Sequence, residues 1–263
     1  MNVLINGISG FMGREVAKLC KNGYRGSVLY AGVDPNASGD ECQLIYKSFD
    51  EIGATDEIDC IVDFSHHSVT PALLEFATEN NLALVLATTG HTDEEISEIH
   101  EAAKRIPLFY SGNMSLGIAL LIELAKKTAE AMPEAEIEIV ESHHNRKLDA
   151  PSGTALMIAD AIKEVRPEAY ANLGRSGHGK RTPDEIGIHS IRMGNIVGIH
   201  EVIVGSENQT ITLKHEAHNR ALFAEGALAA AAFIATMPEG LYDMKSMISE
   251  RQCDAVVITA DKN

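Results

Sequence analysis

Short apolar runs recur along the N-terminal part of the chain, each closed by a polar or glycine-bearing turn and followed by helical spacing. Met1–Asn6, Ser27–Val33, Asp59–Phe64, Leu82–Ala87 and Pro107–Tyr110 have the composition of buried strands. Helical patterns follow Gly13, where Val16, Ala17, Leu19 and Cys20 are apolar, and then fill Pro71–Asn80 and Asp93–Lys104. Strands without a polar face, alternating with amphipathic helices, predict a parallel sheet covered on both sides. Ligands of such sheets lie off the carboxyl ends of the strands.

After Ser115 the pattern changes. A helix over Leu116–Ala131 leads to a strand at Glu136–Val140, a polar loop, and a helix over Ala155–Val165 with Ala155, Ile158, Ala159, Ile162 and Val165 on one face. The glycine-rich stretch Asn172–Asp184 predicts a loop. Gly187–Met193, Gly198–Val204 and Gln209–Lys214 then alternate in period two across short turns such as Ser206-Glu207-Asn208, which predicts antiparallel pairing. This is a second, α+β domain, and a small open sheet of that kind needs its exposed face or edges covered. Ala217–Thr236 predicts an alanine-rich helix that returns to the first domain, with Leu241–Ser249 a short element beyond it. The chain then crosses between domains near 112–115 and near 216–219, which would make a hinge. The expected division is 1–114 with 217–250, then 115–216, and a tail at 251–263 whose apolar Ala255–Ile258 has no assigned place.

The first turn carries chemistry. Gly7-Ile8-Ser9-Gly10-Phe11-Met12-Gly13 places three glycines three apart between strand and helix, which allows a tight turn and close backbone approach to a pyrophosphate at a helix N-terminus. Asp34 ends the second strand, 21 residues beyond Gly13, where an acidic residue holds the adenosine ribose hydroxyls. Pro35-Asn36-Ala37-Ser38 supplies no cation for a 2′-phosphate, so NADH is expected to serve at least as well as NADPH. Thr88-Thr89 and Ser111–Met114 fall at later strand ends of the same sheet. His66-His67 suggests no metal site, because adjacent side chains on a strand end diverge and no third ligand is near in sequence.

The second candidate is Glu136–Ala155. Its loop holds His143, His144, Arg146 and Lys147 within five residues, then Pro151-Ser152-Gly153-Thr154 before the helix. Ser152 or Thr154 can cap that helix, and the Gly153 and Thr154 amides are placed for a carboxylate or phosphate. An imidazole and a lysine beside an anion site are proton-transfer groups. Asp149 can pair with Lys147 or Arg146, and Glu141 with His143, which alternate on one strand face, make a minor alternative reading as a zinc site.

Charge sharpens this reading. With 22 Lys and Arg against 38 Asp and Glu, the chain carries −16, which repels nucleic acid and anionic membranes at long range. Four clustered cationic groups in such a chain mark a local anion site. With 45% apolar residues the chain can build a real core, and no run approaches the roughly 18 apolar residues of a membrane span. The N-terminus enters a strand with no basic stretch before it, so no secretion signal is expected. Cys20, Cys42, Cys60 and Cys253 form no CxxC pair, which suits reduced cytoplasmic thiols.

Glu138-Ile-Val-Glu-Ser-His-His-Asn-Arg-Lys-Leu-Asp-Ala-Pro-Ser-Gly-Thr-Ala155 closely resembles the signature of the 4-hydroxy-tetrahydrodipicolinate (dihydrodipicolinate) reductase family. The likeness extends through Gly7–Gly13, Asp63-Phe64-Ser65, Thr88-Thr89-Gly90, Asn113–Gly117, Arg192–His200 and Gly240–Met244. It implies a Rossmann-type dinucleotide-binding domain, a substrate-binding and tetramerisation domain, and NAD(P)H-dependent reduction of a small cyclic dicarboxylate in lysine and diaminopimelate biosynthesis. By position, His143 matches the family's proton donor/acceptor and Lys147 its proton donor; His144, Gly153 and Thr154 match substrate-binding positions. Gly7, Ile8, Ser9, Gly10, Phe11, Met12, Asp34, Ala87, Thr88, Thr89, Ser111, Gly112, Asn113 and Met114 match cofactor contacts. The family is typically a homotetramer assembled through the second domain's sheet. Departures are Ser111-Gly112-Asn113-Met114 in place of the common Ala-Pro-Asn-Phe, Ala87 in place of a glycine, and a longer tail. The competing reading is a non-catalytic NAD(H) sensor whose loop binds a regulatory anion; a sensor has no need of the proton donors.

Overall fold

The computed structural model of the chain describes residues 1–36 and 44–249. Ala37 and Ser38 of the turn after Asp34, and the tail beyond 250, lie outside the described residues. The chain divides into two compact units, Met1–Ser115 with the segment from Ala221, and Leu116–Arg220.

Unit 1 holds parallel strands β1 (Asn2–Asn6), β2 (Val28–Val33), β3 (Ile45–Tyr46), β4 (Cys60–Asp63), β5 (Ala83–Leu86) and β6 (Pro107–Tyr110), in spatial order β6-β5-β4-β1-β2-β3. Order reverses between β1 and β4, so Gly7 and Asp63 stand at the switch point of the sheet. Helices α1 (Phe11–Lys21), α2 (Thr70–Glu79) and α3 (Asp93–Ala102) link the strands. A capping box between Thr92 and Glu95 starts α3. On one face Leu4, Ile61, Leu84, Leu86 and Leu108 pack with Leu73, Leu74 and Ala77 of α2 and Ile99 and Ala102 of α3. Successive strand residues point to opposite faces, so Val3, Ile5, Val62 and Val85, all buried, meet the other layer.

Unit 2 holds α4 (Leu116–Ala131), β7 (Glu136–His143), α5 (Gly153–Val165), β8 (Tyr170–Leu173), β9 (Glu185–Arg192), β10 (Gly198–Ser206) and β11 (Gln209–Ala217), with sheet order β11-β10-β7-β9-β8. Ile137, Ile139, Ile186, Ile188, Val202 and Val204 pack on Ile118, Leu121, Ala125, Ile158, Ala159 and Ile162 of the two helices. The three C-terminal strands are not an antiparallel set. Only β10 and β11 form a hairpin; β7 separates β9 from β10, and β9 runs parallel to both β7 and β8. Period-two alternation fixes which face a residue takes and is silent on the neighbouring strand. Strand β8 ends in the first two residues of the stretch Asn172–Asp184 expected as a loop, and its residues are half-exposed or exposed, so no apolar alternation marks it.

The chain then returns to unit 1 through α6 (Ala221–Ile234), which packs on α1, β4, β5 and β6, and β12 (Gly240–Tyr242), which pairs parallel with β6 at the sheet edge. The helix starts at Ala221 because Ala217 still belongs to β11. Gly226 lets α6 pass the main chain: a Cβ there would stand 1.7 Å from the Met114 carbonyl oxygen. Phe233 meets Phe109 edge-on at 6.3 Å.

Candidate active site

Two clusters of chemistry are built, one at the strand ends of each unit. In unit 1, Gly7 adopts φ +77°, and a Cβ there would stand 2.6 Å from the Phe64 carbonyl oxygen. A Cβ on Gly13 would stand 2.2 Å from the Gly7 carbonyl oxygen, so the first turn of α1 sits directly on the loop. No side chain caps α1, whose cap residue is Gly10. Asp34 is buried; its Oδ2 accepts from the Ser9 amide at 3.1 Å and its Oδ1 from the Asn36 amide at 2.9 Å. Each oxygen keeps a lone pair for a diol. A cavity of about 360 Å³ beside it is lined by Gly7, Asp34, Lys47, Phe49, His66 and Val69 among others. The loop geometry and the acidic strand end thus fit a dinucleotide.

Behind the loop, Asp63 is fully buried and accepts from Asn6 Nδ2 (2.7 Å), Ser65 Oγ (2.6 Å) and Thr88 Oγ1 (2.5 Å). These bonds tie the ends of β1, β4 and β5 together. Burial pushes the Asp63 carboxyl up, against the pull of those neutral donors. Thr88 is therefore committed to the scaffold, while Thr89 is exposed and Ala87 is buried with its amide on the Asp63 carbonyl at 3.1 Å. Ser111 Oγ donates to the Asn113 carbonyl at 2.9 Å, Gly112 is exposed, and the Ser115 amide donates to Asn113 Oδ1 at 2.9 Å. The side chains of Ile8 and Met114 are buried; Phe11 is exposed and Ser9 and Met12 are half-buried.

In unit 2 the core-facing positions of β7 run Ile137, Ile139, Glu141, His143. Glu141 is fully buried. Its Oε1 accepts from Arg192 Nη2 (2.7 Å) and the Ser152 amide (3.0 Å); its Oε2 accepts from Arg192 Nη1 (2.8 Å) and His143 Nδ1 (2.6 Å). Burial alone would raise this carboxyl, but the bonds from Arg192, Ser190, His143 and Ser152 reverse the shift and bring it down to about 2. An ionised carboxylate only accepts, so His143 carries its proton on Nδ1 and presents Nε2. Desolvation lowers the His143 pKa; Glu141 opposes that, and Lys147 and Arg192 reinforce it. Gly198 leaves the ring room, since a Cβ there would stand 3.2 Å from Nε2.

Ser152, not Thr154, caps α5, accepting from the Ala155 amide at 3.2 Å. Its hydroxyl also meets His200 Nε2 at 3.1 Å. His200 is buried and meets His143 edge-on at 5.2 Å; desolvation first, then His143, brings its pKa down to about 4. Gly153 opens α5 with nothing within 4 Å of where a Cβ would stand, so its backbone is approachable; Thr154 beside it is half-buried. Lys147 Nζ pairs with Asp149 at 2.9 Å, and Arg146 donates to Asn195 Oδ1 at 2.6 Å. His144 is half-buried; its amide donates to the Ile196 carbonyl at 2.8 Å, and desolvation lowers its imidazole pKa. Among the described residues no group of three metal-ligating side chains is placed to hold a metal ion, and no helix is long and apolar enough to cross a membrane.

The family models for the dihydrodipicolinate reductase N-terminus and C-terminus match residues 1–114 and 117–248. The chain belongs to the dihydrodipicolinate reductase family. It is 44% identical over 254 residues to the 4-hydroxy-tetrahydrodipicolinate reductase of Caldanaerobacter subterraneus subsp. tengcongensis, covering 95% of this chain and 99% of that one. To the enzyme of the same name from Clostridium tetani it is 42% identical over 252 residues, covering 95% and 97%. Among solved structures, the dipicolinate-bound dihydrodipicolinate reductase from Paenisporosarcina sp. TG-14 superposes with TM-score 0.79 at 26% identity, covering 92% of this chain and 97% of that one.

The reductase is an oxidoreductase of lysine and diaminopimelate biosynthesis that reduces 4-hydroxy-tetrahydrodipicolinate, and its cofactor is a nicotinamide dinucleotide. Nothing in these relatives supports a sensor. The sequence reading of the reductase missed the parts that organise both clusters: Asp63, Arg192, His200, and Glu141 as more than a poor zinc ligand. A signal existed for Glu141, because Ile137 and Ile139 on the same face point it into the core, where a carboxylate requires a cation.

Proposed function

We propose that the reductase divides its reaction between the two clusters, with the dinucleotide held by unit 1 and the dicarboxylate by unit 2. The observation that carries this reading is the four-way bonding of Glu141, which joins a proton-transfer imidazole to an anion-binding helix start. In unit 1 the Gly7–Met12 loop receives the pyrophosphate, Asp34 the ribose, and Ala87–Thr89 with Ser111–Met114 the nicotinamide side. The bound nicotinamide supplies the hydride from its C4.

In unit 2 the Gly153 and Thr154 amides bind one substrate carboxylate at the N-terminus of α5, and His144 lies beside the substrate. Lys147 holds a proton to give. Neutral His143 offers a lone pair at Nε2 and becomes a donor only after taking up a proton. The protein thus contributes orientation and charge compensation.

NADH serves at least as well as NADPH, because the Asp34 carboxylate repels a 2′-phosphate. NADPH is still accepted, since Lys47 lines the same cavity. Unit 2 assembles the chain into a homotetramer through the sheet face opposite its helices, where Val140, Ile199 and Ile203 alternate with charged residues; light scattering should return the mass of four chains. Cys20 and Cys60, both free and buried, suit a cytoplasmic enzyme.

The test is a coupled assay in which dihydrodipicolinate synthase, pyruvate and aspartate semialdehyde generate the substrate while NADH or NADPH absorbance is followed. Substrate-dependent loss with both cofactors, and kcat/KM for NADH equal or higher, is the expected result. No loss with either cofactor would end this reading, and a many-fold preference for NADPH would overturn the role of Asp34.

A further inference from the structure

Arg192 stands outside the motif that carries the proton donors, 51 residues from Glu141, yet its guanidinium is the piece on which that motif closes. It is half-buried and uses both terminal nitrogens twice. Nη1 donates to Glu141 Oε2 and the Ile191 carbonyl, each at 2.8 Å. Nη2 donates to Glu141 Oε1 at 2.7 Å and to the Asp149 carbonyl at 2.6 Å. The fork therefore takes one bond on each carboxylate oxygen, beside His143 Nδ1 on Oε2 and the Ser152 amide on Oε1, with the Ser190 side chain also bonded to the carboxylate. A planar guanidinium can do this; a single ammonium cannot reach both oxygens in plane.

We propose that Arg192 is a positioning residue of the reductase: by closing on both oxygens of Glu141 it fixes His143 as a neutral ring with Nδ1 as donor and Nε2 presented, and through the same carboxylate it ties that ring to the Ser152 end of the anion-binding turn. This rests on the functional reading above in taking the turn to bind substrate.

The charge argument runs in the same direction as the geometry. His143 meets Glu141 on its own strand and His200 on β10, stands opposite Arg192 of β9 in register, and feels the charge of Lys147, which pairs with Asp149 on the loop; His215 on β11 pairs with His200. An unanswered carboxylate at 2.6 Å would favour the imidazolium. Here the carboxylate's charge is already answered by the guanidinium, so Glu141 orients the ring without charging it. Arg192 also holds the Asp149 carbonyl, and Asp149 pairs with Lys147. One side chain thus steadies both proton-transfer residues and the helix cap.

The test is nitrogen-15 NMR of histidine-labelled full-length protein, with the His143 ring assigned by its absence in His143→Ala, read beside substrate KM and the pH profile of kcat/KM. In the wild type, Nδ1 should carry the proton and the ring should titrate below the ordinary imidazole range. In Arg192→Gln the midpoint should rise by about one pH unit or more as Glu141 loses its counter-charge. The acidic limb of the kcat/KM profile should move with it. Substrate KM should rise about tenfold while NADH KM stays within about twofold, because the turn loses its fixed acceptor. Arg192→Lys keeps the charge and loses the fork; its midpoint should shift less than half as far while the substrate KM defect persists. A wild-type ring protonated on Nε2 would overturn the proposal without any variant, and so would a midpoint in Arg192→Gln unmoved from wild type. Wild-type protein inactive in the coupled assay would count against the functional reading and leave the NMR result standing on its own.

Discussion

Asp63 and Glu141 are both carboxylates with no exposed surface, each standing toward the carboxyl end of a strand that is paired on both sides. They are satisfied in opposite ways. Asp63 is surrounded by an amide and two hydroxyls, all neutral, and burial leaves its carboxyl raised. Glu141 meets a guanidinium and an imidazole, and the balance of burial and bonding brings it down to about 2. Neutral donors can join three strand ends and need hold no fixed charge. A charged fork makes a carboxylate into a rigid neutral pair, which can aim a titrating ring. On the proposed roles, the difference separates a scaffold beside a cofactor loop from a device that orients proton transfer.

The largest effect tests whether chemistry sits on the Glu141 side alone. His143→Ala and Lys147→Ala should each lower kcat by roughly 10²–10⁴-fold, the span of a positioned acid or base, with NADH affinity by fluorescence titration nearly unchanged. Asp63→Asn should instead leave kcat within about tenfold and weaken NADH binding, because the strand ends under the loop lose their tie. A wild-type kcat in either unit 2 variant would remove that residue from the mechanism.

Next comes stability. Glu141→Ala leaves the Arg192 guanidinium, whose side chain is 18% exposed, without its partner, and urea unfolding should show a loss of about 3–5 kcal/mol. Asp63→Ala, which strands neutral groups only, should cost about 1–3 kcal/mol. Equal costs would erase the distinction between the two sites. The smallest effect belongs to Ser152→Ala, which removes the cap of α5 and the contact with His200. A loss of about 0.5–2 kcal/mol is expected. Substrate KM should rise several-fold with kcat changed less, and an unchanged KM would detach the cap from anion binding.

Much of the fold could be read directly because unit 1 writes its architecture in local patterns. Each of its apolar runs is one strand, and the glycines of the first turn stand where the backbone crowds Phe64 and Gly7. Unit 2 was less legible. The parallel pairing of β9 with β7 joins segments about fifty residues apart, and alternation is the same for a parallel and an antiparallel partner. The site shows the same division. His143, Lys147, Gly153 and Thr154 fall in one contiguous motif, while Arg192 and His200 reach it through strand register, His143 facing Arg192 across β7 and β9. Ser152 was ambiguous with Thr154 as a cap, since either residue type can cap and only the backbone geometry chooses. Glu141 looked like one of several carboxylates on an alternating strand, and its burial emerges only from counting faces against Ile137 and Ile139.

The contrast between the two carboxylates is tested most directly by measuring unfolding free energy against pH for the wild type, Glu141→Gln and Asp63→Asn. Glu141 is held at about 2 against an ordinary value of 4.5, so its contribution is present above the ordinary value and is lost as pH falls toward the folded one, roughly 3 kcal/mol over the full span. Asp63 is shifted upward, so its contribution is greatest below the ordinary carboxylate range and declines as pH rises through the folded value. The cost of Glu141→Gln should therefore shrink between about pH 7 and pH 3, while the cost of Asp63→Asn grows over the same range. Costs that move in the same direction with pH would contradict the account.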